Sequence, residues 1–308
     1  MTRPGLRGVF VRVPATTSNL GPGFDILGLA LRLHDTLELR VDASRKGPAV
    51  VEVVGEGSGR LPTGEGNLAV RALRGLLPRK DFPWALRLRM VNGIPIGRGL
   101  GSSAAARLCG LLAAAALRGL EPESVLEEAC RLEGHPDNAV PAFHGGLCAS
   151  SFDGKVLRHL RLAPPRGLKA VVCVPDFEVS TRRARAALPA KVPLTDAVRT
   201  ASRTVFLLEA FRSRRFDWLA EAMEDDLHQP YRAHLVPGLE AALSAALRAG
   251  AYGSALSGSG SSVLAFARPD DAARVGRAMS AVFARRGSRP RALVLDLSAD
   301  GAVVRRAR

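Results

Sequence analysis

An α+β fold is predicted for this chain of 308 residues by three observations. Strand and helix patterns are mixed along its whole length. Apolar residues make up 47% of it, enough for one large or two ordinary cores. A Pro164-Pro165-Arg166-Gly167 cluster divides it, so that residues 1–163 and 164–308 are expected as two domains.

In the first half, residues 8–13, 36–42 and Val50 to Val54 pattern as strands, Gly55 to Gly66 as a surface loop and Asn67 to Leu77 as a short helix. Ala85 to Val91 sets Leu86, Leu88 and Met90 against Arg87 and Arg89, the period of two of a half-buried strand. Ala104 to Leu117 has apolar residues at 104, 108, 111, 112 and 115, and Gly119 as its stop, which predicts a helix. Glu121-Pro122-Glu123 opens a second helix to Glu133, with Val125, Ala129 and Leu132 inward. Gly145 to Ser151 and Lys155 to Leu160 read as sheet.

The second half repeats strand and helix. Lys169 to Val174, Val263 to Ala267 and Arg291 to Leu297 are strands. Asp196 to Phe211 is an amphipathic helix with Val198, Ala201, Val205, Leu208 and Phe211 expected on its inner face, followed by Phe216 to Leu227. Pro237 to Arg248 and Pro269 to Arg286 are helices with proline at the first position and Gly250 and Gly287 beyond their ends.

A formal charge of +15 raises the question of nucleic acid, but only five of the 44 basic residues are lysine. The arginines are scattered, without a basic stripe interleaved with aromatics, so no nucleic-acid partner is expected; such a field also favours anionic small substrates. Cys109, Cys130, Cys148 and Cys173 lack C-x-x-C pairing and read as buried free thiols. The most apolar run, Leu108 to Leu117, is too short to span a bilayer, and no basic start with an apolar run opens the chain. A cytoplasmic protein without membrane attachment is the expectation.

Between the Ala85 strand and the Ala104 helix lies Pro95-Ile96-Gly97-Arg98-Gly99-Leu100-Gly101-Ser102-Ser103-Ala104-Ala105. Three glycines and two hydroxyls deliver backbone amides into a helix N-terminus, the arrangement that holds phosphate. Ser102 and Ser103 are candidates to cap the helix or contact a metal. There is no lysine before the serine pair and no G-x-G-x-x-G, so the loop is neither a Walker nor a dinucleotide type.

Five further segments accompany it: Pro14 to Asp25 (PATTSNLGPGFD), Glu133 to Asn138 (EGHPDN), Ser180 to Arg185, Gln229 to Arg232, and Ser257 to Ser262. Together these resemble the GHMP small-molecule kinases, and among them the homoserine kinases most closely, over residues 9 to about 297. The resemblance implies a two-lobed fold, the first lobe like ribosomal protein S5 domain 2 and the second ferredoxin-like. It implies ATP and Mg²⁺, transfer of phosphate to L-homoserine ahead of threonine synthase, and a homodimer.

Residue by residue, the resemblance assigns the loop 95–105 to the phosphates of ATP and Asn67 to the neighbourhood of the adenosine, although an Asn there suits a helix N-cap equally well. Ser103 and Glu133 would hold Mg²⁺, with Glu127 and Glu128 on the same helix as alternatives. Arg185 and Arg232 match the positions that bind the substrate carboxylate, for which a planar fork is suited. Asn19, Asp25, His135 and Asn138 surround the amino and hydroxyl ends, with Thr181 and Gly260 nearby. Asp137 corresponds to an aspartate that related kinases use as a base, but the likeness to homoserine kinases points to catalysis by positioning and charge stabilisation. Mevalonate kinase or another small-alcohol kinase is the nearest alternative, and a non-catalytic metabolite-binding module the alternative from another class.

Overall fold

The structure, a computed structural model, describes residues 8–307; residues 1–7 and 308, which fall within the two expected halves, lie outside the described residues. Two sheets organise the chain. The first has seven strands in the order β11-β1-β2-β4-β3, with β5 on β2 and β6 on β5. Its elements run β1 (Gly8–Asn19), β2 (Gly23–Lys46), β3 (Ala49–Gly55), α1 (Leu68–Leu76), β4 (Trp84–Asn92), α2 (Ser102–Arg118), α3 (Leu126–Glu133), α4 (Pro136–His144), β5 (Leu147–Phe152) and β6 (Leu157–Leu162). The second has four antiparallel strands in the order β10-β7-β9-β8. It is built from β7 (Lys169–Val174), α5 (Thr181–Ala186), α6 (Leu194–Ser213), α7 (Leu219–Ala222), α8 (Gln229–Arg232), α9 (Leu239–Arg248), β8 (Gly253–Leu256), β9 (Val263–Ala267), α10 (Pro269–Ala284) and β10 (Arg291–Leu295), and β11 (Val303–Ala307) follows. A strand order of 4-1-3-2 with helical crossovers is the ferredoxin-like arrangement.

β1 and β2 position the site. β1 runs past the expected end at Val13, because Ala15 to Ser18 pair with Gly28 to Leu31 after a register shift at Pro14/Ala15. The PATTSN residues are therefore the end of a central strand and not a loop. β2 is 24 residues long. Its one end pairs with β5 at Leu27 to Leu29 and its other with β4 at Asp35 to Asp42, while Leu27, Leu29, Leu31, Leu37 and Leu39 fill the core. α2, buried throughout from Leu108 to Leu117, lies against this sheet.

Several expectations need correction. Glu121 to Glu133 begins as a 3-10 turn, Pro122–Val125, before α3. α4 lies in a stretch to which the sequence patterns assign no element. Pro136 stands in the first turn, where an amide has no partner to lose, and Gly145 ends the helix after Pro141. The helix expected over Phe216 to Leu227 is a 3-10 turn followed by the four residues of α7. Asp225 breaks it by accepting from the amides of Leu227, His228 and Gln229, which starts α8 instead. Pro237 is not at the first position of α9, since Gly238 caps that helix in the left-handed region.

On α6 the expected inner stripe faces outward at Val198, Ala201 and Val205, while Leu208 is half-buried and Phe211 is buried as expected. Val198 and Val205 are 62% and 66% exposed, whereas Leu207, Ala210 and Phe211 are buried. The helix carries apolar residues on two sides, and the pattern alone does not choose between them. β11, in the second half by sequence, pairs with β1 from Gly8↔Ala307 to Arg12↔Val303 and so completes the first sheet. All four cysteines are free and buried. Among the described residues, no helix is long and apolar enough to cross a membrane.

Candidate active site

The glycine loop is anchored before it begins. Ile94 donates its amide to the Asp35 carboxylate at 3.0 Å, and burial pushes that carboxyl up to about 7 despite the amide bonds that oppose the shift. Gly97, Gly99 and Gly101 have φ of 65°, 73° and 71°, the left-handed region. At two of them space forbids a side chain as well: a Cβ on Gly99 would lie 2.0 Å from the Ser257 carbonyl, and one on Gly101 2.1 Å from Thr16 Oγ1. α2 starts at Ser102 with Gly101 as its N-cap and no side-chain cap. Neither serine caps the helix, and its first amides are left to a ligand at the positive end of the dipole.

Segments from both sheets close on this loop. Thr16 donates its amide to Leu100 O at 3.1 Å, Gly258 to Ser18 O at 3.1 Å, and Ser262 to Arg98 O at 3.3 Å. Ser257 Oγ donates to Gly99 O at 2.7 Å and lies 2.9 Å from Thr17 Oγ1. Arg98 turns away from the helix N-terminus: its guanidinium donates to the carbonyls of Ile96, Pro175 and Asp176 and pairs with Glu178 at 3.3 Å. It ties the loop to the second lobe.

At the start of α2, Ser103 Oγ donates to Glu133 Oε2 at 2.7 Å, and Arg107 holds the other carboxylate oxygen. A hydroxyl and a carboxylate side by side at an anion-binding helix end are hard oxygen donors of the kind Mg²⁺ takes together with phosphate oxygens, so these residues fit that ion. Glu128 is engaged by Arg131, and Glu127 is exposed outside the cleft.

The other end of the cleft sets two arginines beside two carboxylates. Arg185 grips Asp25 with two bonds, 3.0 and 2.8 Å, and Asp25 in turn donates its amide to Asn19 Oδ1. Asn19 reaches Gly258 O at 3.0 Å. Asn138 accepts from Thr16 Oγ1 at 2.8 Å and donates to Ser18 Oγ at 3.1 Å. His135 Nδ1 contacts the buried Asp137 carboxylate. Burial opposes both charges, yet the shared hydrogen bond raises the His135 pKa and, with Ser18 and Arg185, lowers that of Asp137. Ligand atoms of Asp25, His135 and Asp137 lie within 4.8 Å of one another, an acidic corner suited to an ammonium group. Phe24 lies beneath both arginines, 5.8 Å from Arg185 and 5.1 Å from Arg232.

One cleft therefore gathers Asn19, Asp25, Gly97 to Ser103, Glu133, His135, Asp137, Asn138, Thr181, Arg185 and Arg232. Other expected residues lie elsewhere. Asn67 is the N-cap of α1, accepting from Ala69 at 3.0 Å and donating to Pro62 O. Pro95 and Ile96 line a neighbouring interlobe recess, and Ala104 and Ala105 are packed inside α2. Gly260 faces away from the cleft, where an added Cβ would lie 3.1 Å from both Leu256 and Val236, and Gly258 and Ser259 line the cleft in its place. Sequence reasoning missed Phe24, Arg107 and His228. Arg107 was legible as the residue four after Ser103 on the same helix face, and His228 as the residue four before Arg232.

The model for the GHMP kinases N terminal domain matches residues 67–146, and that for the GHMP kinases C terminal matches residues 207–285. Homoserine kinase of Moorella thermoacetica is 46% identical over 96% of this chain and 99% of its own length. That of Carboxydothermus hydrogenoformans is 42% identical over 89% and 90%. Among solved structures, homoserine kinase from Cytophaga hutchinsonii superposes with a TM-score of 0.86 at 29% identity, covering 99% of both chains. L. major mevalonate kinase in complex with R-mevalonate shares the fold at 15% identity, with a TM-score of 0.76 over 96% of this chain and 98% of that one. With both halves matched and relatives above 40% identity along nearly its whole length, the chain belongs to the homoserine kinases of the GHMP kinase family.

Proposed function

We propose that this protein transfers the γ-phosphoryl group of ATP to the hydroxyl of L-homoserine, giving ADP and O-phospho-L-homoserine for threonine biosynthesis. The observation that carries the reading is one cleft joining an open helix N-terminus, the Ser103–Glu133 pair and the Asp25–Arg185 pair. Loop amides from Gly97 to Ser103 receive the phosphates, and Ser103 with Glu133 holds Mg²⁺, which when bound offsets charge on the transferring phosphoryl group.

The amino acid recognises the opposite end. Its ammonium meets Asp25 and its carboxylate meets Arg185 and Arg232, so one protein ion pair is exchanged for two with the substrate. Held this way, the side-chain hydroxyl faces the phosphate end, and orientation with charge stabilisation supplies the rate. Asp137 is a poor proton acceptor, because its carboxylate is already held by His135 and its pKa is lowered, away from the working pH that suits a base. Asp137→Asn is accordingly expected to keep measurable turnover in a coupled ADP-release assay; a loss as deep as that of Glu133→Gln would reinstate a base.

A coupled assay offering homoserine, mevalonate, galactose and shikimate tests the substrate. ADP release with homoserine alone is expected, and no turnover with homoserine overturns the reading. Arg232→Leu is expected to raise the homoserine KM by about a hundredfold, for loss of a charge-assisted bond, with the ATP KM within twofold. The reading includes a homodimer in the cytoplasm without a nucleic-acid partner; the four buried free thiols support the reducing compartment.

A further inference from the structure

We propose that His228, outside every motif of the sequence reading, is a positioning residue that holds Arg232 for the substrate carboxylate without neutralising it. The proposal rests on the carboxylate role of Arg232 given above.

The geometry defines the tautomer of His228. Its Nε2 lies 2.8 Å from the Gly21 carbonyl, which can only accept, and its Nδ1 lies 3.3 Å from Arg232 Nη1, which can only donate. Only the neutral ring with its proton on Nε2 satisfies both. Burial, with the neighbouring Arg232 charge, depresses the pKa of this ring against the pull of Asp225, whose Oδ2 lies 3.4 Å from Nε2, in keeping with the neutral form protonated on Nε2. The ring is fixed from every side. Asp225 caps the turn before α8 through the amides of Leu227, His228 and Gln229, and Phe24 stacks on the imidazole at 5.2 Å and 28°.

Arg232 is 2% exposed, and its three protein bonds go to the Ala184 carbonyl, the Gly258 carbonyl and this imidazole. All three acceptors are uncharged. They consume Nε and both hydrogens of Nη1, which leaves Nη2 for the cleft that Arg232 lines. Arg185 is treated differently, since both its terminal nitrogens are spent on the Asp25 carboxylate. An aspartate or glutamate in place of His228 would fix Arg232 equally well but cancel the charge that an incoming carboxylate needs. A neutral imidazole gives direction and leaves the cation whole.

The positioning extends to the peptide chain around the site. Through Gly21 O the same ring holds the turn between β1 and β2, two residues from Asn19 and four from Asp25. His228 therefore links the element that binds the carboxylate to the strand end expected to bind the ammonium.

The test is steady-state kinetics of purified full-length variants, with thermal melting as the fold control. His228→Leu is expected to raise the homoserine KM at least tenfold, the loss typical for a hydrogen bond to a charged group, with the ATP KM within twofold. His228→Asn, whose Oδ1 can take the Nδ1 position, should recover most of that loss. His228→Asp supplies an equally good acceptor with a charge, and a homoserine KM at least tenfold above that of the Asn variant is expected. Should His228→Leu fail to fold, the Asn and Asp variants decide. A homoserine KM for His228→Leu within twofold of wild type, or equal KM values for Asn and Asp, overturns the proposal while Arg232→Leu still shows its effect. If Arg232→Leu leaves the homoserine KM unchanged, the carboxylate reading itself fails.

Discussion

Glu133→Gln should lower kcat about a thousandfold or more at saturating ATP and homoserine, with little change in fold. The glutamine side chain is nearly the same shape, so Ser103 Oγ, now 2.7 Å from Oε2, keeps an acceptor. What is lost is the charge. Phosphoryl transfer gathers negative charge on the oxygens between donor and acceptor, and Glu133 is the carboxylate that Ser103, in the first turn of α2 proposed to receive the phosphates, donates to. The substitution also turns a donor toward Arg107, which now contacts Oε1. A displaced Arg107 is 23% exposed and can turn to water, so the melting temperature should fall by only a few degrees. Titration with Mg²⁺ separates the effects: the variant should need a higher concentration for half-maximal rate. Retention of more than a tenth of wild-type kcat at the wild-type Mg²⁺ optimum would remove Glu133 from the metal site.

The legibility of this fold in its sequence divides along physical lines. Where periodicity was unopposed, as in Ala85 to Val91 or Ala104 to Leu117, the elements are those observed, because burial on one face and local propensity agree. Where a polar side chain or a proline competes for the backbone, local reading failed. Asp225 cut a helix short, and α4, with Pro136 at its start and Pro141 inside it, is an element that the patterns did not predict. β11 was invisible for another reason. Its pairing with β1 spans nearly the whole chain, and strand partnership at that separation leaves no local mark.

The site was legible as motifs more than as contacts. Glu133, Arg185 and Arg232 were named from the resemblance, and they line one cleft. The pairing of Arg185 with Asp25, and the turning of Arg98 toward Pro175 and Asp176, depend on which lobe each residue faces. No spacing along the chain encodes that. Asn67 shows the converse. Its sequence context carries an N-cap in full, and an N-cap is what it forms.

Gly99→Val should abolish nucleotide binding while leaving far-ultraviolet circular dichroism unchanged. The first reason is conformational: φ of 73° is open to glycine and is an outlier for a β-branched residue. The second is space. The new Cβ would stand 2.0 Å from Ser257 O and 3.0 Å from Gly260 N, and both are backbone atoms that cannot rotate away. The loop must then part from the 257–262 turn, which breaks the bond from Ser257 Oγ to Gly99 O and disturbs that from Ser262 to Arg98 O. The amides of Gly97 to Ser103, the proposed phosphate donors of a loop without a lysine, would lose their common direction. The sheets take no part in these bonds, so secondary structure should survive with a modest loss of thermal stability. Gly59→Ala is the matched control: φ is also positive, at 74°, but nothing lies within 4 Å of the added carbon, so backbone strain is present without the collision. Calorimetric titration with ATP should show binding by the control and a loss of at least a hundredfold in the Gly99 variant, since several charge-assisted bonds go together. Binding by Gly99→Val within tenfold of wild type would mean that the phosphates are held elsewhere than on this loop.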